Sequence, residues 1–503
     1  MNRRDNHPVV RTSRGVVRGR WDGQVGVFRG IPFAAPPVGE RRFQAPQPAD
    51  PWDGVREADV FGPPPPQGLG PPLPPTPASP APSRHHPTEW LTLNVWTPDP
   101  GSAGLAVMVW IYGGGYRFGS SAEPGYDGAA LARTGVVVVT ANHRVGMEGY
   151  GDLAGAPPNR ALLDQIATLR WVQQEIGVFG GNPARVTVFG ESAGAGAIAA
   201  LMVMPLAKGL FGQAIAHSVP GTYFSHDMAR DISTELLQPL GLQPTVAALG
   251  AVPPERLLAA MAEFDRRMPP INRWGTFSPV VDGELLPTDP WTGLAAGTGH
   301  DIRLLVGHNR DEWRLFLVLD GMVGAVTNEM AQEAMELFGP GQDAARRLRR
   351  AYPAATAEEL YVIARSDRMF RIPSLHLAAA HTAGGGRTHL CELTWPAPGA
   401  GGLFGACHGL DVPLVFGVLD QGLAVQLLDT PPDAAAAEIS TQMQAAWTAF
   451  ARTGEPGWVS YDERHRATRV FDSTAQGGVR AYPEEASRQL WLDTAIGVLD
   501  VRR

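Results

Sequence analysis

One stretch limits this chain more than any other. The β-branched run Val186 to Phe189 leads into Gly190-Glu191-Ser192-Ala193-Gly194 and then into a small-residue helical pattern from Ala195 to Met204. A turn that passes from strand to helix this sharply crowds its own backbone. It needs glycine on both sides and lifts the serine hydroxyl clear at the helix N-terminus. Such a turn presupposes a strand in a sheet with a helix packed against it. G-x-S-x-G alone recurs by chance in a chain with 59 glycines. The strand before it and the helix after it are what mark Ser192 as a nucleophile.

The surrounding pattern agrees with that demand. Short β-like runs at Val9 to Thr12, Gly15 to Arg20 and Gly26 to Ile31 read as a small antiparallel entry. From Leu91 onward strand and helix alternate: Leu91 to Trp96, Ala106 to Tyr112 and Val136 to Asn142 are strand-like. Leu162, Leu163, Ile166, Leu169, Val172 and Ile176 recur at helical spacing just before Val186. Alternation of this kind predicts an α/β fold, a central mostly parallel sheet flanked by helices. Further strands are expected at Gln213 to His217, Ile302 to Val306 and Arg387 to Thr394. Helices are expected near Asp231 to Leu240, Pro254 to Phe264 and Ala434 to Ala451. Eleven prolines between Pro63 and Pro82 leave few backbone donors, so that segment is a loop, and no domain boundary is drawn there. Residues 1–503 are read as one domain.

Composition removes several function classes. With 42 basic and 50 acidic residues the net charge is −8, and no basic stripe offers a footprint for nucleic acid. The longest apolar stretch, Ala193 to Ala207, is shorter than the roughly 18 residues that span a bilayer, so no membrane partner is expected. The first residues lack the apolar run of a secretion signal. Cys391 and Cys407 are the sole cysteines, too few for a disulfide framework or a cysteine-rich zinc site. A reducing cytoplasm is the expected setting.

An acyl-transfer serine needs donors aimed at the oxyanion that develops on the attacked carbonyl. Upstream, the strand Ala106 to Tyr112 ends in Gly113-Gly114-Gly115, where residues without Cβ let backbone amides approach a ligand closely. Gly114 and Gly115 are candidates for one half of an oxyanion hole and the Ala193 amide for the other. A histidine base must also exist, but spacing does not choose among the histidines that follow Ser192.

Ordered motifs across the chain choose for it. F-R-G-I-P-F-A-A-P-P-V-G-E-R-R-F runs from Phe28 to Phe43, followed by Pro51-Trp52, by L-N-V-W-T-P at Leu93 to Pro98 and by W-I-Y-G-G-G-Y at Trp110 to Tyr116. L-L-D-Q at Leu162 to Gln165 precedes F-G-G-N-P-A-R-V-T-V-F-G-E-S-A-G from Phe179 to Gly194. In these segments the sequence resembles the type-B carboxylesterase family of α/β-hydrolases, which includes the cholinesterases and the bacterial para-nitrobenzyl esterases. G-H-N-R-D-E at Gly307 to Glu312 resembles the segment carrying the family's triad acid, and C-H-G-L-D-V-P-L-V-F-G at Cys407 to Gly417 that carrying its histidine. The resemblance therefore implies a triad of Ser192, Glu312 and His408, with Asp311 as the rival acid. Neighbouring side chains point different ways, so one of the two acids reaches the imidazole.

The implied activity is hydrolysis of small-molecule carboxylic esters through an acyl-enzyme on Ser192, with no metal or organic cofactor. Carbamate, amide or thioester hydrolysis uses the same machinery, and a non-catalytic binding protein of this fold is the different-class alternative. The resemblance also places Glu191 inward near bound substrate and Trp274, Phe277 and Phe316 on pocket walls. Asp282 and Glu284 read as structural, His143 as packing and Cys407 as an inert thiol. The family's usual E-D-C-L is here Thr88-Glu89-Trp90-Leu91, so its customary disulfide is absent. Oligomeric state is not legible.

Overall fold

Several strands in the middle of the chain are apolar on both sides, a pattern satisfied only by a sheet covered on both faces. The computed structural model of the chain describes residues 7–68, 86–102, 104–268, 275–473 and 476–500. In chain order its strands are β1 (Val9–Arg11), β2 (Val16–Arg18), β3 (Arg20–Asp22), β4 (Val25–Pro32), β5 (Val55–Glu57), β6 (Thr92–Thr97), β7 (Leu105–Ile111) and β8 (Val136–Ala141). They continue with β9 (Gly181–Glu191), β10 (Gln213–His217), β11 (Phe224–Ser225), β12 (Val280–Val281), β13 (Arg303–Asn309), β14 (Thr388–Leu393), β15 (Ala467–Phe471) and β16 (Gly478–Ala481). Eleven of these form one sheet in the order β16-β15-β14-β13-β10-β9-β7-β8-β6-β4-β3. Pairing is parallel from β8 across to β15 and antiparallel toward both edges.

The period-2 alternation of side chains splits the strands between two cores. Val107, Val109 and Ile111 of β7 join Val137 and Val139 of β8 on one face. There the helix Arg160–Glu175 presents Leu162, Ile166, Leu169 and Val172. Met108, Trp110, Val136 and Val138 face the other way, against Met443, Trp447 and Phe450 of the helix Ala434–Thr453. A third cluster belongs to neither face. Trp313, Phe316 and Leu317 pack with Met335, Leu348, Leu360 and Phe370 in a group of helices inserted between β13 and β14.

The N-terminal entry differs from its sequence reading. β1 and β2 are antiparallel, but β5 adds to β2 in parallel, so the small sheet is mixed. The run from Gly26 to Ile31 lies in β4 of the large sheet, because it is buried on both sides along nearly its whole length. Of the proline-rich loop, Pro63 to Gly68 carry no helix or strand, and the rest of the segment to Pro82 lies outside the described residues. Among the described residues no helix is long and apolar enough to cross a membrane.

Candidate functional site

Four neighbouring strands, β13, β10, β9 and β7, end at the same edge of the sheet. The carboxyl edge of a parallel sheet is where α/β proteins collect their chemistry. The loop after β9 begins with Ser192, whose φ of 56° and ψ of −127° lie outside the ordinary regions for a residue with a side chain. Two backbone bonds hold it there: the Ser192 amide donates to the His217 carbonyl at 3.0 Å, and the Ser192 carbonyl accepts from Gly196 at 3.0 Å. A Cβ on Gly194 would collide with the Ile111 carbonyl oxygen, so the turn tolerates glycine alone at that position. The helix Ala193–Val203 follows at once.

The glycine triplet after β7 packs on this turn. An ideal Cβ on Gly113 would sit 3.1 Å from the Ser192 Cβ, and one on Gly114 would collide with the Phe118 carbonyl oxygen. Gly114 and Gly115 adopt φ of 101° and 58°. Among the described residues the Gly114, Gly115 and Ala193 amides donate to no backbone carbonyl. The start of the proline-rich loop braces the same side, where Gln67 exchanges two hydrogen bonds with Gly119 at 2.7 and 2.9 Å.

Glu312 and His408 approach from the loops beyond β13 and β14. The His408 Nδ1–H donates to Glu312 Oε2 at 2.6 Å, and the His408 amide donates to the Glu312 carbonyl at 3.2 Å. Glu312 is fully buried, and its Oε1 accepts from the Ser218 hydroxyl at 2.6 Å and the Asn309 amide at 2.8 Å. Burial opposes its charge, but the imidazole and these donors outweigh burial and hold the carboxyl below its usual range. Asp311 points elsewhere. Its carboxylate accepts from the Ala406 amide at 3.0 Å and pairs with Arg310, so it pins the loop that leads to His408 without touching the imidazole.

With Nδ1 committed to Glu312, the free nitrogen of His408 is Nε2, and it faces the elbow. Glu191 Oε1 lies 3.0 Å from it, outside hydrogen-bonding geometry. Burial raises the Glu191 carboxyl to about 8 against the pull of His408, while His408, despite burial, is raised to about 9 by Glu191 and Glu312. These two shifts oppose each other. Protonating Glu191 removes one of the two charges that hold a proton on the imidazole, and Glu312 supplies the other.

The pocket residues divide. The Phe316 ring lies 5.2 Å from the His408 ring, and Phe277 is buried in a segment whose neighbour Thr276 bonds Asp265, the partner of Arg117 near the glycine triplet. Trp274 lies outside the described residues. His143 stacks on Tyr112 at 4.1 Å and is pushed down to about 3 by burial, in keeping with a packing role. Asp282 closes a turn by accepting the Glu284 and Leu286 amides at 2.9 Å, and Cys391 and Cys407 are both free and buried.

Sequence reasoning missed four neighbours of the site. Phe370 lies against His408 with ring centroids 4.2 Å apart. Ser218, at φ 57°, supports Glu312. Asn309 accepts from the His217 ring at 2.9 Å and donates to the Cys407 carbonyl and to Asp411 at 2.8 and 3.2 Å. This chain of side chains, with Asp411 as its last member, ties together the ends of β10 and β13 and the His408 loop. Only Asn309 and Asp411 sit within segments that sequence singled out.

Comparison with known proteins finds relatives that match nearly the whole chain. The model of the carboxylesterase family matches residues 6–476. The para-nitrobenzyl esterase of Bacillus subtilis (strain 168) is 36% identical over 500 residues, covering 96% of this chain and 98% of that protein. The fumonisin B1 esterase of Sphingopyxis macrogoltabida is 36% identical over 515 residues, covering 96% and 90%. Among solved structures, a carboxylesterase of Geobacillus stearothermophilus superimposes with a TM-score of 0.83 at 33% identity, covering 96% of this chain and 99% of that one.

Proposed function

The chain belongs to the carboxylesterase family, has the α/β-hydrolase fold and is a carboxylic-ester hydrolase, and from that premise we propose that Ser192, His408 and Glu312 carry the reaction. The observation that carries the proposal is the buried pair of His408 and Glu312, with its free Nε2 turned to the elbow that bears Ser192. His408 Nε2 takes the Ser192 proton as the hydroxyl oxygen attacks the ester carbonyl, then returns it to the departing alkoxide. Glu312 keeps the proton of the neutral imidazole on Nδ1 and stabilises the imidazolium that forms. The Gly114, Gly115 and Ala193 amides receive the oxyanion, a role supported by their lack of backbone acceptors among the described residues. Water, deprotonated by the same nitrogen, then releases the acid from Ser192.

Glu191 adds an adjustable charge beside Nε2, and Phe277 and Phe316 form apolar walls for the substrate. No step calls for a metal or organic cofactor. Two free, buried cysteines support a reducing cytoplasm as the setting. A stopped-flow assay with a short-chain p-nitrophenyl ester tests the two-step path. A nitrophenolate burst matching the enzyme concentration is expected when deacylation is slow, together with an acylated Ser192 peptide after acid quench. Turnover with no acyl group on any serine contradicts the proposal.

A further inference from the structure

Deep arginines in this protein have their charge answered. Arg144 pairs with Asp164 at 2.7 Å, Arg42 with Glu148 at 2.6 Å and Arg371 with Asp367 at 2.7 Å. Arg160 has no carboxylate partner among the described residues but gives its guanidinium to four backbone carbonyls. Arg365 lies 3.7 Å from the Trp313 ring centroid. Arg368 is different. Among the described residues no carboxylate lies within 4.0 Å of it, and its guanidinium makes one hydrogen bond, to the Gly221 carbonyl at 3.0 Å. It is set deep, yet part of its surface stays open to solvent. Burial alone pulls the guanidinium below its ordinary value, with no anion to offset the cost.

The position of this cation gives it meaning. Arg368 belongs to a π-helical turn, Asp367–Arg371, and such turns tend to occur at functional sites. Two residues further on, Phe370 of the same turn lies against His408. The partner strand of chain, Ser218 to Gly221, starts at the serine that holds Glu312. It is locked to the turn by the Gly221 amide donating to the Met369 carbonyl at 2.8 Å. Pro220 reaches the first turn of the elbow helix, since a Cβ on Gly196 would meet its Cγ at 2.9 Å and would collide with the Tyr116 hydroxyl. Tyr116 directly follows the glycines proposed to receive the oxyanion. The segment holding Arg368 thus lies beside both the first turn of the elbow helix, which Pro220 touches, and the His408 ring, which Phe370 touches.

We infer that Arg368 receives a free carboxylate carried on the acyl part of the substrate, so that monoesters of dicarboxylic acids are a preferred substrate class. A guanidinium presents five donors in a planar fork suited to two carboxylate oxygens, and here most of that fork has no protein acceptor among the described residues. Water completes the hydrolysis, releasing the dicarboxylate and the alcohol. This inference rests on the ester-hydrolase reading of the same site, and turnover of a neutral ester tests that reading separately.

The experiment compares mono-p-nitrophenyl glutarate with p-nitrophenyl valerate, in wild type, Arg368→Met and Arg368→Lys. In Arg368→Met the ratio of kcat/KM for glutarate over valerate is expected to fall by about tenfold to a hundredfold, mainly through KM, and Arg368→Lys is expected to keep part of it. Because the readout is a ratio, a general loss of folded enzyme cancels. A ratio unchanged within about twofold in both variants overturns the inference. If instead the variants lose selectivity for 4-acetoxybenzoate, whose carboxylate is on the alcohol part, the acyl assignment is overturned.

Discussion

The two halves of the site are built by different means. Ser192 sits on a turn whose shape is dictated locally: β9 ends, φ goes positive, Gly194 clears the Ile111 carbonyl and a helix begins, all within a few residues. His408 has no comparable local support. Its orientation comes from Glu312, 96 residues away, and its ring lies against Phe316 and Phe370 from the inserted helices. Local constraint leaves a sequence signature, whereas support assembled from distant side chains leaves almost none.

If that contrast is right, the long-range half should break in graded steps. His408→Ala is expected to lower kcat by about 10⁵-fold with little change in KM, because the nucleophile and its base act as a unit. Glu312→Gln is expected to cost about 10⁴-fold, as the amide can favour the wrong imidazole tautomer. Asp311→Asn, which loosens the loop at Ala406 and the pairing with Arg310 but leaves the imidazole untouched, should stay within about tenfold. Steady-state turnover of a short-chain ester, after circular dichroism confirms folding, checks all three. A collapse in Asp311→Asn with Glu312→Gln near wild type would reverse the roles of the two acids.

Ser218 sharpens the comparison at the next level. Removing its hydroxyl takes one donor from a buried, charged carboxylate, so Ser218→Ala is expected to reduce kcat by about tenfold to a hundredfold and leave KM nearly unchanged. An effect confined to KM would show that Ser218 serves binding instead of holding the acid.

These residues also show where the sequence stopped being readable. The elbow, the glycine triplet and most sheet strands followed from local pattern, because period-2 and period-3.6 alternation reports directly on burial. Ser218 lies at φ 57° in a loop with no motif, and Phe370 lies on a π turn that spacing rules for ordinary helices do not describe. The small N-terminal sheet was read as antiparallel because its runs are adjacent in sequence, but β5 arrives from farther along the chain and adds in parallel. Glu312 and His408 were identified through family resemblance; their 2.6 Å contact depends on packing between loops that no periodicity encodes.

The smallest expected effect concerns pH. His408 must be neutral to take the serine proton, and a nearby carboxylate favours its protonated form. Removing the Glu191 charge therefore lowers the His408 value, and in Glu191→Gln the acid limb of kcat/KM should move to lower pH. An unmoved limb means Glu191 is already protonated across that range, and its role as a charge beside Nε2 fails.

Ser192 as the proposed nucleophile, activated by a histidine held from far along the chain, can be tested directly. An alkyl fluorophosphonate reacts with serines activated in this way and leaves a covalent adduct that peptide mass spectrometry can locate. One adduct per chain is expected, on Ser192, formed at full rate in wild type and drastically slowed in His408→Ala. An adduct on another serine, or full esterase turnover after Ser192 has been blocked, would contradict it.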